Sequence, residues 1–538
     1  MKPQVNDKFR LGAIFRKWHI PIIIVLCIAS RLPQLCSPNL WLDSDECILG
    51  LMAKHLSEGK EIPIFFYGQN YGFSLIEALF VSLGYKLLGI SAFSVRLSIL
   101  ALWIIGVVFY YLAASNITRD NRKGFWITLL LIFIPAWAIW SMKARGGYIT
   151  AFVVTSIIIF LISQLRINRI KWFVIGMATS IVFLSQRIWI VGLLPILLFR
   201  IIEKHRISKV MSFISGATLT VIIMNLSAKF LERGSNSEFL KIYINFNFHL
   251  LNNALKLLKS IYTNLTGCYY MDYFFKPDFV TSSISVSWLI LIIIGTAIRI
   301  TRIKKRKYNA WGGILFVSTA FTIIFTWVLD SPFFGYRYLL PLSGFMILWL
   351  GVEICDYTGQ NIRLKKRCYV LLFVLIFLGT YSLINFRNFS FLPNIKVSGE
   401  NISEEKRILS FIEYLKDKDI KYTFSLEPLL TWYVMFYSKE EILSKTTEPY
   451  DRYPEYPREV DKAFEGGKKT AIIGFAQQIP EYLLKKSRNI IVIGARYFIY
   501  LNPEEKLLTS VGLKNKRSPD RRMFNPLKYR DPKSVLID

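Results

Sequence analysis

Long apolar runs recur through the first 390 or so residues, and short clusters of Lys and Arg separate them. This alternation constrains the chain more than any other feature. A helix needs roughly 20 apolar residues to cross the hydrocarbon core of a bilayer, and basic loops are retained on the inner side. The runs lie near 20–35, 94–114, 125–141, 148–165, 171–185, 188–201, 209–226, 284–300, 311–329, 338–354 and 368–386. They predict a polytopic α-helical membrane protein of about 11 spans with its N-terminus inside. The basic N-terminus (Lys2, Lys8, Arg10, Arg16, Lys17) precedes "IPIIIVLCIAS" with no small-residue cleavage site after it, so the first run reads as an uncleaved span.

The charge pattern decides the path. If both "FSLIEALFVSLGYKLLG" (73–89) and the next run (93–114) crossed, "SNITRDNRKG" and every later basic loop would be inverted. Residues 73–89, which carry Glu77 and Lys86, are therefore expected along the outer interface as an amphipathic helix. "RINRIK", "RIIEKHRISK", "RITRIKKRKYN" and "TGQNIRLKKR" then all lie inside. The short pair of runs about "SQRIW" reads as a re-entrant hairpin with Arg187 near its tip. A net charge of +30 distributed in this way is the signature of membrane topology, and no basic stripe interleaved with aromatics points to nucleic acid. Six cysteines lack metal spacing; Cys36, Cys47 and Cys268 fall on the outer side, where a disulfide is open. The four histidines show no metal spacing either.

Past about residue 390 the composition shifts to Lys, Glu, Tyr and Pro. "SEEKRILSFIEYLKDK" has helical spacing, and "KYTFS", "KTAIIGF" and "NIIVIGARYFIYL" read as strands. We expect a membrane module over 1–390 and an extracytoplasmic α/β domain over 391–538. Single glycines in "IIGFAQ" and "VIGARY" make no dinucleotide fingerprint.

The stretch "SPNLWLDSDECILG" places Asp43, Asp45 and Glu46 just outside the first span. Asp45 and Glu46 would open a helix over "CILGLMAKHL", where the dipole favours negative charge. Capping needs one carboxylate, whereas this loop has three. Outer turns and outer span ends also hold Arg31, Arg96, Lys143, Arg145, Arg187 and Arg337, against the usual poverty of such turns in Lys and Arg. Guanidinium forks neutralise phosphate, and a carboxylate can take the proton of an attacking hydroxyl. Carboxylates facing arginines at a membrane boundary suit chemistry on a lipid-linked phosphate. Arg31 and Arg96 read as structural partners of the loop carboxylates.

An inside N-terminus, one span, an outer loop opening on an Asp-Glu pair, two interfacial helices and an Arg-led second span resemble the glycosyltransferase C superfamily. The similar branch is the polyprenyl-phosphate-sugar transferases, which include protein mannosyltransferases and bacterial aminoarabinose and lipopolysaccharide-core sugar transferases. The matching stretches are "DSDECILGLMAKHLSEG", "YGQNYGFSLIEALFVSLGYKLLGISAFSVRL", "MKARGGY" and "YRYLLPL", and the resemblance covers roughly residues 10 to 390. It implies an integral-membrane enzyme that moves a sugar from a polyprenyl-phosphate donor to a glycan, lipid or protein acceptor on the outer face; the Ile, Lys and Asn bias points to a bacterial inner-membrane protein. Carried over, Asp45 is the candidate general base or acceptor-orienting residue and Glu46 its partner; by type and place, Arg145, Arg187, Arg337, Tyr336, Tyr338 and Lys143 are the candidate ligands of the donor phosphate, and Asp43, Glu77, Tyr67, Gln69, Tyr71 and Arg96 the candidate supports of the acceptor or the site. No nucleotide is implied. Asp43 and Asp45 form a D-x-D, which leaves a divalent metal open. Where aminoarabinose transferases have Lys-Pro-Pro in the first loop, this chain has "GQNYGFSLIE", a departure that bears on sugar and acceptor rather than on the reaction. A lipid-linked-sugar flippase or a polysaccharide ligase is the rival reading. "DRYPEY" (451–456) resembles a stretch in bacterial members and carries no assigned chemistry.

Overall fold

The structure is a computed structural model, and it describes residues 7–37, 40–69, 72–164, 168–203, 207–231, scattered positions between 254 and 265, 279–305, 309–328, 339–358, 362–385, 404–446, 452–480, 483 and 490–514. Tyr71, Cys268, Tyr336, Arg337 and Tyr338 lie outside the described residues, as does most of the expected outer loop 227–283. The chain divides into two compact units, Met1–Phe66 with Asn70–Asn401, and Tyr67–Gln69 with Ile402–Asp538.

The first unit is helical: α1 (Asp7–Leu35), α2 (Ser44–Ser57), α3 (Leu75–Leu88), α4 (Ala92–Thr118), α5 (Asn121–Phe133), α6 (Pro135–Trp140), α7 (Tyr148–Ser163), α8 (Arg169–Ser185), α9 (Arg187–Glu203), α10 (Ile207–Leu231), α11 (Phe279–Lys304), α12 (Ala310–Val328), α13 (Leu340–Thr358) and α14 (Ile362–Asn385). Among the described residues, six helices are long and apolar enough to cross a membrane: Trp18–Leu35, Ala92–Thr118, Ile207–Ser227, Ser282–Lys304, Ala310–Trp327 and Leu340–Tyr357. Tyr148–Ser163 and Val370–Tyr381 are shorter apolar helices. The protein is thus a polytopic membrane protein.

The run expected as one helix over 125–141 is interrupted. Pro135 has no N–H and disfavours helical torsions at the preceding residue; Ile134 accordingly sits at φ −69°, ψ 130°, between α5 and α6. The α8 and α9 runs meet at Gln186, whose N–H still bonds the Val182 carbonyl. Small residues allow close crossings, as membrane helices require: Gly176 of α8 lies against the Phe213 carbonyl of α10, and Gly216 of α10 against the Phe173 carbonyl of α8. Polar groups close the other ends. Glu353 of α13, fully buried, is ion-paired with Arg299 (3.1 Å) and Arg302 (3.0 Å) of α11, and Arg200 donates to the Ile162 and Gln164 carbonyls that the end of α7 leaves free.

The second unit runs α15 (Glu404–Asp417), β1 (Tyr422–Ser425), α16 (Pro428–Tyr437), β2 (Leu443–Thr446), α17 (Glu455–Glu465), β3 (Thr470–Phe475), β4 (Ile490–Ile493), β5 (Tyr497–Leu501) and α18 (Glu505–Ser510). Its sheet has the order β2-β1-β3-β5-β4. β1 pairs in parallel with β2 and β3, while β5 is antiparallel to β3 and β4. The β4–β5 hairpin turns through the three residues Gly494, Ala495 and Arg496, with Gly494 and Ala495 at positive φ and the Arg496 N–H bonded to the Ile493 carbonyl (3.2 Å). Phe424, Ile472, Phe498, Val460 and Leu508 form its core.

Candidate active site

The acidic loop folds from a local signal. Asp43 is the N-cap of α2 and Glu46 stands three residues on, which is the spacing of a capping box. The Asp43 Oδ1 accepts from the Glu46 N–H (2.9 Å) and the Glu46 Oε2 accepts from the Asp43 N–H (2.9 Å). This reciprocal bonding turns two of the three carboxylates into the helix end. Asp45, one position before Glu46 in the first turn, is left out of the box.

The segment 141–147, between α6 and α7, supplies the cations. Lys143 Nζ lies 2.9 Å from Asp43 Oδ2. Arg145 donates from Nε (2.8 Å) and Nη2 (2.7 Å) to Asp45 Oδ2, and its Nη1 is 3.7 Å from Asp43 Oδ2. Arg96 of α4 grips Glu46 with both terminal nitrogens, Nη2 to Oε2 at 2.9 Å and Nη1 to Oε1. The same fork donates to the Trp41 carbonyl (2.7 Å) and the Met142 carbonyl (3.2 Å), while the Ala144 N–H bonds Glu46 Oε1 (3.3 Å). Three carboxylates face three cations.

Burial separates their roles. Glu46 and Arg96 are fully enclosed, whereas the Asp45 and Arg145 side chains each keep 21% of their surface exposed. Burial pushes the Asp43 carboxyl up, but Lys143 and Arg145 beside it outweigh that and hold it well below the usual carboxylate range. Asp43 is thus a fixed anion. Glu46, saturated by Arg96 and two backbone N–H groups, is built to position. Asp45 is the carboxylate with room for a further partner.

Glu77 of α3 works from behind. It accepts from the N–H groups of Gly147 (3.3 Å), Ile149 (3.1 Å) and Thr150 (3.1 Å) at the start of α7, and from the Thr150 hydroxyl (3.4 Å). The N-cap of α7 is Gly147, at φ +83°, which has no side chain to do this itself. A Cβ there would stand 2.8 Å from the Phe73 carbonyl, so glycine is required. Gln186 Nε2 bonds the Gly146 carbonyl (2.8 Å) and ties the α8–α9 junction to the same turn. Arg187, next along, lies with its guanidinium 5.4 Å over the Phe183 ring. Tyr67 and Gln69 group with the second unit, where the Tyr67 ring stacks on Tyr453 at 4.8 Å.

α3, at 14 residues, is too short to span. Burial pushes the Glu77 carboxyl up from its ordinary 4.5 to about 7, against the lowering effect of the α7 N–H groups. The folded state therefore holds this proton more tightly than the unfolded chain, so stability is fully present below 4.5 and falls as pH rises through 7. Glu77→Gln is expected to remove that slope, as read from unfolding temperatures in detergent between pH 5 and 8. An unchanged slope in the variant would contradict the assignment.

Arg31 departs from expectation. Its partners are the Ile132 and Trp137 carbonyls (2.8 and 3.1 Å) and the hydroxyls of Ser30 and Ser141 (2.8 and 3.0 Å), with no loop carboxylate among them. Backbone carbonyls leave no trace in sequence, which is why these contacts, and those of Gln186, could not be read there. The D-x-D also has partners: Asp43 and Asp45 hold Lys143 and Arg145, and among the described residues no group of three His, Cys, Asp or Glu is arranged to hold a metal ion. The donor set as it stands does not fit a divalent cation.

No family model and no curated protein matches the sequence. Solved structures do match in fold. ArnT from Cupriavidus metallidurans bound to undecaprenyl phosphate is similar at 11% identity and a TM-score of 0.58, over 90% of this chain and 98% of that one. The same protein in the apo state is similar at 10% identity and a TM-score of 0.60, over 94% and 100% of the two chains. The chain therefore has the fold of ArnT, the GT-C fold.

Proposed function

We propose that the protein is an integral-membrane glycosyltransferase that moves a sugar from a polyprenyl-phosphate donor to an acceptor hydroxyl on the outer face of the membrane, with inversion at the anomeric carbon. The observation that carries this reading is the partly exposed Asp45–Arg145 pair, set beside Lys143 on a framework of buried charges. That the solved ArnT is bound to undecaprenyl phosphate supports a lipid phosphate as the ligand of these cations.

The acceptor oxygen attacks the anomeric carbon, the bond from that carbon to the phosphate oxygen breaks with its electron pair on the phosphate, and the acceptor proton passes to Asp45. A sugar phosphodiester carries one negative charge and the departing polyprenyl phosphate close to two at neutral pH. Charge thus grows at the phosphate during the step, and Lys143 and Arg145 stabilise the transition state more than the bound donor. A donor phosphate also competes with Asp45 for the Arg145 fork, so donor binding frees the base for the acceptor. Glu46, Arg96 and Glu77 hold the backbone that carries these groups. The second unit, on this reading, lies outside the membrane.

Incubating the purified protein with polyprenyl-phosphate sugars and, separately, with nucleotide sugars tests the donor class. Consumption of a lipid-linked sugar with release of polyprenyl phosphate is expected. Consumption of nucleotide sugars alone, or of neither across a broad panel, would remove the proposal.

A further inference from the structure

Arg31 is fully enclosed in α1 and, among the described residues, forms no ion pair. Burying an uncompensated guanidinium is costly, and an apolar residue would fill the space without that cost. The fork is instead spread over backbone and hydroxyl acceptors on both sides of the interrupted helix. Nη1 reaches the Ile132 carbonyl (2.8 Å), in the last turn of α5, where the break before Pro135 leaves carbonyls without helical donors. Nη2 reaches the Trp137 carbonyl in α6 (3.1 Å), and Nε reaches the Ser141 hydroxyl (3.0 Å), the first residue after α6. The Trp103 ring of α4 lies 4.6 Å under the guanidinium. From Ser141 the chain continues directly into Lys143 and Arg145. Arg96 takes the next carbonyl, Met142, and Glu46 the Ala144 N–H.

We propose that Arg31 is a positioning residue: it fixes the α5–α6 break and the start of segment 141–147 so that Lys143 and Arg145 are presented for the donor phosphate. This rests on the reading of those two cations as phosphate ligands. A planar fork spanning three acceptors, in α5, in α6 and just after α6, cannot be replaced by the point charge of Lys. The role differs from general packing because its effect should be confined to segment 141–147 and to the ligand held there.

The test compares wild type, Arg31→Lys and Ser141→Ala in detergent by amide hydrogen exchange, unfolding temperature and binding of polyprenyl phosphate. Arg31→Lys is expected to speed exchange across 141–147 about tenfold while α4 and α7 keep their protection, and to weaken polyprenyl-phosphate binding about tenfold at a nearly unchanged unfolding temperature. Ser141→Ala, which deletes one acceptor and leaves the fold's charges in place, is expected to do the same to a smaller degree, and it decides the matter if Arg31→Lys does not fold. Wild-type exchange over 141–147 in the folded variants overturns the proposal, as does loosening spread evenly over the helices with a lowered unfolding temperature. Local loosening in a protein whose wild type does not bind polyprenyl phosphate would keep the positioning role and reject the phosphate reading.

Discussion

Arg96→Met is expected to lower stability by about 3–5 kcal/mol, because it strands a carboxylate that has no access to water. Glu46 and Arg96 are both fully enclosed, and the guanidinium also satisfies the Trp41 and Met142 carbonyls. Met fills the space and supplies no donor. Thermal unfolding in detergent, followed by tryptophan fluorescence, reads the loss. Adding Glu46→Gln to Arg96→Met should recover part of it, since the amide removes the buried charge and its one oxygen still accepts from either the Asp43 or the Ala144 N–H, which bond different oxygens of the carboxylate. A single variant as stable as wild type would mean that this pair does not anchor α2 to α4.

Arg145→Gln should spare the fold and damage the reaction. The Arg145 and Asp45 side chains are partly solvated, so losing their attraction costs about 1 kcal/mol or less. On the proposed mechanism the same guanidinium stabilises charge that grows only as the phosphate leaves. Removing one such donor typically costs about 100- to 1,000-fold in rate. Steady-state kinetics with the lipid-linked donor varied should therefore show kcat falling by about that factor at an unfolding temperature close to wild type. Arg145→Lys should fall between the two, because it keeps the charge and loses the two-pronged contact. Full activity in Arg145→Gln would take the phosphate role away from this residue.

The polytopic helical architecture is legible in sequence because apolar runs of spanning length obey a strong physical rule. The interruption of 125–141 shows why the rule is incomplete: hydropathy runs straight through Ile134 and Pro135, while the backbone cannot. The acidic loop is legible as chemistry, since Asp43, Asp45, Glu46, Lys143, Arg145 and Arg96 all stand out by type and place, and the structure brings these six together. Their division of labour is harder to read. Which carboxylate meets Arg96, 50 residues away, depends on the capping box that turns Asp43 and Glu46 inward, and only the D-x-x-E spacing hints at it. Glu77 looks like one more outer acid, yet its partners are main-chain N–H groups of a helix capped by glycine. In the second unit, β2 is the four residues "LSKT", whose buried Ser, Lys and Thr give no apolar signal.

We propose Asp45 as the base for sugar transfer from a lipid phosphate. Transfer of a radiolabelled sugar from polyprenyl phosphate by membranes carrying wild type or Asp45→Asn at matched expression decides this role. Transfer by wild type with stoichiometric release of polyprenyl phosphate is expected, with a rate lower by about 100- to 10,000-fold in Asp45→Asn, the span that a general base contributes. Equal transfer by both proteins, or label that crosses the membrane still joined to its lipid, would contradict it.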